Sequence, residues 1–310
     1  FLIIFEMMQA LKGSLVALVT PMEEGGDVDY NSLEKLIDWH IQEGTNGIVS
    51  VGTTGESATL DVEEHLNVIK HTVEYVNSRI PVIAGTGANS TSEAIELTEE
   101  SKKLGADYAL LVTPYYNKPN QNGLINHYTK IADEVDIPQI LYNVPSRTAC
   151  DLLPSSVKVL SEHNNIIGIK EAIGSEERIN ELIEILSKNK NFLLFSGDDP
   201  TFLSLLEKGG DGVISVAANV VPNCISRICS FVAEGRNSEA IILDKKLSNL
   251  YELLFIESNP IPVKWMIYKM GLIKNSIRSP LFELDIKYQE NTINEMLKLE
   301  LLWLKYTLSF

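Results

Sequence analysis

Cysteine is scarce in this chain: Cys150, Cys224 and Cys229 are the only three in 310 residues, with neither a CxxC pair nor the dense, even spacing of a disulfide scaffold. A small disulfide-stapled secreted fold is excluded, and a reducing, cytoplasmic compartment is expected. Basic side chains are also short, 26 against 42 acidic ones, for a formal charge of -16. Such a surface repels phosphates and anionic lipid, and no Lys/Arg-dense stretch offsets it, so neither nucleic acid nor membrane is an expected partner. No uninterrupted apolar run reaches membrane-spanning length. The opening FLIIFEMMQ is apolar but lacks a basic flank and a clear cleavage site. It reads as a leader, residues 1–12, ahead of an older start at Met7 or Met8.

Phosphate-loop signatures are missing too. The first turn lacks GxGxxG, and GTTGES at 52–57 does not complete GxxxxGK. Clustered metal ligands are equally absent: His40, His65, His71, His127 and His163 all fall in helical or helix-end stretches, and His65 and His71 are not at HExxH spacing. No metal is expected, and each histidine is expected on a helix surface.

What the chain has is a recurring unit: a short apolar run, a cluster of Gly, Thr, Pro or Tyr, then a longer amphipathic segment. The runs are SLVALVT (14–20), GIVSVG (47–52), PVIAGTG (81–87), DYALLVTP (107–114), PQILYNVP (138–145), IIGIKE (166–171), NFLLFSGDD (191–199) and DGVISVAAN (211–219). They are continuous rather than alternating, as parallel strands covered on both faces require. Several intervening helices end in a glycine suited to the left-handed position just before the next run. Eight such units close most simply into a (β/α)8 TIM barrel over residues 13–235. A doubly wound open sheet is the alternative. After Pro222 the pattern turns to helices without strands, a C-terminal helical appendage over residues 236–310 whose final segment starts near Asn291.

In a barrel the active site lies where the strands end. The residues there include Thr20, Thr53, Thr54, Tyr115, Tyr116, Tyr142, Lys170, Asp199 and Asn219, with Arg147 just beyond Tyr142. Thr20, Asp199 and Asn219 suit ordinary turns as well as a site. Lys170 stands out, because IIGIKEA puts an ammonium where apolar side chains belong. Held beside apolar walls, such an amine is partly the nucleophilic free base at neutral pH and can form an imine with a 2-oxo acid. The alternative is a salt bridge to Glu171 or another strand-end acid. Tyr116 and Tyr142 suit proton transfer, Thr53 could couple them, Thr54 with its glycine-flanked turn suits a small carboxylate, and Arg147 offers a fork for a second one.

At these residues a resemblance emerges. GTTGES, TPYYNKP (113–119), LYNVPSRT (141–148), IIGIKEA, FSGDD (195–199), GVISVAANV (212–220) and NPIPVKW (259–265) resemble the 4-hydroxy-tetrahydrodipicolinate synthase family, over roughly residues 13–280. The resemblance implies a lyase barrel free of cofactor and metal, assembled as a homotetramer (a dimer of dimers), whose small-molecule substrates are pyruvate and L-aspartate 4-semialdehyde. By the same resemblance Lys170 looks like the Schiff-base lysine and Tyr142 like the general acid/base. Thr53 and Tyr116 match its proton relay, with Tyr115 expected to reach a neighbouring subunit's site. Thr54 and Ile214 match pyruvate contacts, and Arg147 the group that receives the semialdehyde.

In family members inhibited by lysine the inhibitor's cleft matches Ser57, Ala58, His65, Asn89, Glu93 and Tyr115, with Val62 where a histidine is frequent. Both ends depart from the pattern, at FLIIFEMMQA and in the tail after IRSPLFEL. The rival within the superfamily is an N-acetylneuraminate lyase or keto-deoxy sugar acid aldolase, against which Arg147 and the Thr53-Thr54 pair argue. A non-catalytic barrel that binds a 2-oxo acid is the rival outside catalysis.

Overall fold

The computed structural model describes residues 11–187, 189 and 191–302. Apart from Leu11 and Lys12, the leader lies outside the described residues, as does the end of the tail. Each of the eight apolar runs carries one strand: β1 (Gly13–Ala17), β2 (Gly47–Ser50), β3 (Val82–Gly85), β4 (Tyr108–Val112), β5 (Gln139–Asn143), β6 (Ile166–Glu171), β7 (Leu193–Ser196) and β8 (Gly212–Ser215). All neighbours pair in parallel and β8 returns to β1, so the sheet closes. The polar residues that follow each run leave the ladder and form the rim at the strands' C-terminal ends.

Parallel strands need crossovers, and here these are amphipathic helices with local start and stop signals. Asp29, Asp61, Asn120 and Ser175 each cap a helix by accepting from the backbone N–H three residues on. Gly44 and Gly105 take the left-handed conformation beyond their helices, with φ of 87° and 91°, as the Gln-Glu-Gly and Lys-Leu-Gly endings predict. Between the strands and the helix ring lie two large apolar clusters, and the barrel interior is filled separately by Leu15, Ala17, Val49, Ile83, Tyr108, Leu110, Ile140, Phe195 and Ile214. No helix among the described residues is long and apolar enough to cross a membrane.

After β8, helix Pro222–Ala233 completes the ring, and beyond the barrel stand helices Asn237–Leu254, Ile261–Lys269 and Ile286–Lys298. The last starts earlier than the expected Asn291, because Asp285 caps it by accepting from Lys287 N–H. These helices are fastened to the catalytic rim. Lys264, 4% exposed, pairs with the buried Glu56 and donates to the Thr20 carbonyl at 3.1 Å. Arg278 N–H donates to the same Glu56, and its guanidinium grips Glu64 through two bonds at 2.6 and 2.7 Å. A buried pair of this kind is costly to break from one side, about 3 to 5 kcal/mol, because the remaining charge is left without a partner.

Candidate active site

Strand parity decides where Lys170 points. In β6 Ile167 packs in the barrel interior, so strict alternation would send Ile169 inward and Lys170 out among the helices. A bulge intervenes: Gln139 pairs with Ile166, but Ile140 pairs with Gly168. The extra residue resets the alternation, Ile169 joins the outer cluster, and Lys170 turns into the barrel directly opposite Tyr142. Room for the side chain comes from Gly197, where an added Cβ would meet Lys170 Cε at 2.9 Å and Cγ at 3.0 Å.

Lys170 is 5% exposed, and its Nζ lies 4.2 Å from the centre of the Tyr142 ring. Among the described residues it makes no ion pair. Glu171 faces the other side of the strand, where it accepts from Asn143 Nδ2, Ile173 N–H and Arg178, so the salt bridge with its neighbour does not form. Burial lowers the Lys170 pKa to about 7; the charge of Asp199 opposes that shift and Arg147 adds to it. A substantial fraction of this amine is therefore a free base at neutral pH.

Tyr142, 7% exposed, has its pKa raised, chiefly by burial, against the lowering effects of Arg147 and of a side-chain hydrogen bond with Thr53. The phenol stays protonated near neutrality, with Thr53 as its hydrogen-bonding neighbour. Thr54, 2% exposed in the turn after β2, accepts from Asn259 Nδ2 at 2.9 Å. Arg147, in the short helix Pro145–Thr148, donates from Nη2 to the Asn259 carbonyl at 3.0 Å. Ile214, fully buried in β8, supplies an apolar wall. The fold thus collects an amine that is partly uncharged at neutral pH, a neutral phenol with its threonine, and a cation close enough to bias both. Asn259 was not singled out from the sequence, since it lies 205 positions from Thr54 and nothing local marks the contact.

Tyr116 departs from the expected relay. It is 90% exposed at a φ of 74°, and no hydrogen bond joins its side chain to Thr53 or Tyr142. A non-glycine residue held at such a φ stores about 1 to 3 kcal/mol of strain. Tyr115, expected to reach outward, is the less exposed of the two at 41%. Within one chain Tyr142 is therefore bonded to Thr53 and not to Tyr116, which is the residue that projects.

Of the expected lysine cleft, Asn89 donates to the Tyr115 carbonyl at 3.2 Å, and the charge of Glu93 helps raise the Tyr115 pKa behind the larger effect of burial. Ala58 and Glu93 are exposed and Ser57 half-buried. His65 is buried with Nε2 on the Gly85 carbonyl at 2.7 Å, which leaves one ring nitrogen for any ligand. His40 and His127 are buried as well, correcting the expectation of surface histidines: the helix faces that carry them pack inward, where burial holds both rings neutral. The three ambiguous rim residues have structural partners. Thr20 donates to the Gly55 carbonyl, Asp199 gathers Ser215 with the Val216 and Ala217 N–H groups, and Asn219 bonds to Ala17 and Val19 across the β8–β1 closure. No cluster of three or more His, Cys, Asp or Glu among the described residues could hold a metal ion.

Comparison with known proteins agrees with this geometry. The profile of the Dihydrodipicolinate synthetase family matches residues 10–299. A 4-hydroxy-tetrahydrodipicolinate synthase from Saccharophagus degradans is 56% identical over 278 residues, which is 90% of this chain and 95% of the relative. A chloride-inhibited dihydrodipicolinate synthase from Acinetobacter baumannii, solved with pyruvate, matches with a TM-score of 0.92 and 51% identity, covering 94% of this chain and 100% of that one. The enzyme from Cyanidioschyzon merolae, solved with lysine bound, gives 0.91 and 37%, covering 94% and 99%. With a match that runs through the barrel and its C-terminal helices alike, this chain belongs to the dihydrodipicolinate synthetase family.

Proposed function

We propose that this enzyme is a lyase that condenses pyruvate with L-aspartate 4-semialdehyde to 4-hydroxy-tetrahydrodipicolinate through a Schiff base on Lys170. The observation that carries the reading is the Lys170 amine, buried, without an ion pair among the described residues and facing Tyr142 at the catalytic end of the barrel, where burial lowers its pKa to about 7. Its free base attacks C2 of pyruvate, the carbonyl oxygen leaves as water, and a protonated imine forms. That imine is an electron sink, so the methyl group gives up a proton and becomes the enamine nucleophile. The enamine carbon bonds to the aldehyde carbon, whose oxygen takes a proton and becomes the hydroxyl group. The amine of the second substrate then attacks the imine carbon, expels Lys170 and closes the ring.

Each step needs a proton moved in a site that excludes bulk water, and Tyr142 with Thr53 supplies the path. Thr54 binds the pyruvate carboxylate, Ile214 bounds its methyl side, and Arg147 receives the carboxylate of the semialdehyde. The relay is completed by Tyr116 of a second copy, in a homotetramer built from such pairs; its exposure and strained backbone support that role. Purified protein given both substrates should consume them in equal amounts, and pyruvate offered with a polyhydroxylated sugar aldehyde should give no adduct. The reverse preference would make the chain a sugar acid aldolase.

The grouping of Asn89, Glu93 and Tyr115 supports partial inhibition by L-lysine, the ligand of the Cyanidioschyzon merolae relative. Ser57, Ala58 and the remaining nitrogen of His65 complete that cleft. Val62 offers no polar contact there, so binding should be weak, in the sub-millimolar to millimolar range.

A further inference from the structure

Asn259 touches both carboxylate-binding groups and has no role in the scheme above. It is 5% exposed; its side-chain amide donates to Thr54 Oγ1 at 2.9 Å, and its main-chain carbonyl accepts from Arg147 Nη2 at 3.0 Å. Its own Oδ1 is buried and has no hydrogen-bond partner among the described residues. An amide kept only for packing is normally satisfied on both atoms, since an orphaned acceptor costs stability. Asn259 forgoes one bond and makes the other to Thr54.

That one bond decides what Thr54 can do. A hydroxyl has acceptor lone pairs but a single proton to give. With the Asn259 N–H on a lone pair, the Thr54 proton points elsewhere and stays available, while a substrate carboxylate can only accept. We propose that Asn259 is a positioning residue that holds Thr54 as a hydrogen-bond donor to the carboxylate of pyruvate. Its carbonyl fixes one edge of the Arg147 guanidinium and leaves the other for the carboxylate of the aldehyde substrate. The two subsites are thereby set by different parts of one residue, the first by its side chain and the second by its main chain. This inference rests on the imine reading of Lys170 and on Thr54 as a pyruvate contact.

The test is a double-mutant cycle on pyruvate binding. The full chain, Asn259→Ala, Thr54→Val and the double variant are titrated with pyruvate under borohydride. Half-saturation is read from adduct mass, and thermal melting is followed in parallel. Asn259→Ala should raise half-saturating pyruvate about tenfold, the worth of one hydrogen bond to a charged group. The melting curve separates lost affinity from lost folding. The double variant should lose nothing beyond Thr54→Val, and the KM for the semialdehyde should stay within about twofold, since alanine keeps the carbonyl.

Unchanged half-saturation in Asn259→Ala, or losses that add in the double variant, would overturn the inference. Asn259→Asp keeps the shape but is acceptor-only when ionised, and it should draw the Thr54 proton to itself and weaken pyruvate further than alanine does. Parental affinity in that variant overturns the inference even if the alanine variant does not fold. No adduct in the parent chain overturns the imine reading itself, and this inference with it.

Discussion

Lys170 was legible because a lone ammonium interrupts an apolar run, and isolated buried charges are expensive enough to need a reason. Its environment makes a pH prediction with a definite sign. Burial disfavours the charged amine, so the pKa falls from 10.5 to about 7, and the nucleophilic form grows as pH rises through that value. The rate of imine formation from pyruvate should climb with pH below about 7 and level off above it. A rate still climbing toward pH 10 would mean that the amine is solvated and the pocket open. Asn259 was not legible at this scale. A side chain acting on a turn 205 positions away leaves no local mark, although NPIPVKW could be noticed as a motif.

The strands were legible as elements because both faces of each are covered, which turns them into continuous apolar runs with turn residues at their ends. The direction of Lys170 was not. IIGIKE does not reveal that the ladder slips between Gln139 and Ile140, and that slip decides whether the amine faces the barrel or the helices. The glycines on either side of this geometry separate two effects. A methyl group at Gly197 meets the Lys170 side chain, whereas at Gly168 it would lie 2.7 Å from the Leu193 carbonyl, which cannot yield without moving β7. Gly197→Ala should therefore cut imine formation by about tenfold or more with little change in melting, and Gly168→Ala should lower the melting point, costing about 1 to 3 kcal/mol. Parallel stability and imine measurements on both variants check this. An unaffected imine rate in Gly197→Ala would show that Lys170 has slack the geometry denies.

At the scale of the whole molecule, Tyr116 projects from the chain, and the proposed relay needs a second copy to use it. Tyr116 was legible as a relay residue by resemblance, but which copy it serves cannot be read from one sequence, because nothing in the residue order encodes a neighbour. If relays are shared between copies, mixing Lys170→Ala chains with Tyr116→Phe chains should restore activity. In hybrid pairs one site regains both groups, giving about a quarter of the parental turnover for random exchange within symmetric pairs. Mixtures no better than the separate variants would place the whole relay in one chain.

The proposed inhibitor cleft belongs to the same scale. L-lysine at about 10 mM, roughly tenfold above the weak end of the expected range, should lower initial rates at saturating pyruvate, and Glu93→Ala should relieve the inhibition. An unchanged rate would rule the cleft out, and inhibition that survives Glu93→Ala would locate it elsewhere.

The catalytic expectations depend on one covalent event, and it can be observed directly. Protein mixed with pyruvate and reduced with borohydride, then digested and weighed peptide by peptide, should carry one reduced pyruvyl group on Lys170. Tyr142→Phe should carry the same adduct while turning over far more slowly, because only proton transfer is lost, and Lys170→Ala should carry none. An adduct on another lysine, or none on the parent protein, would contradict the account.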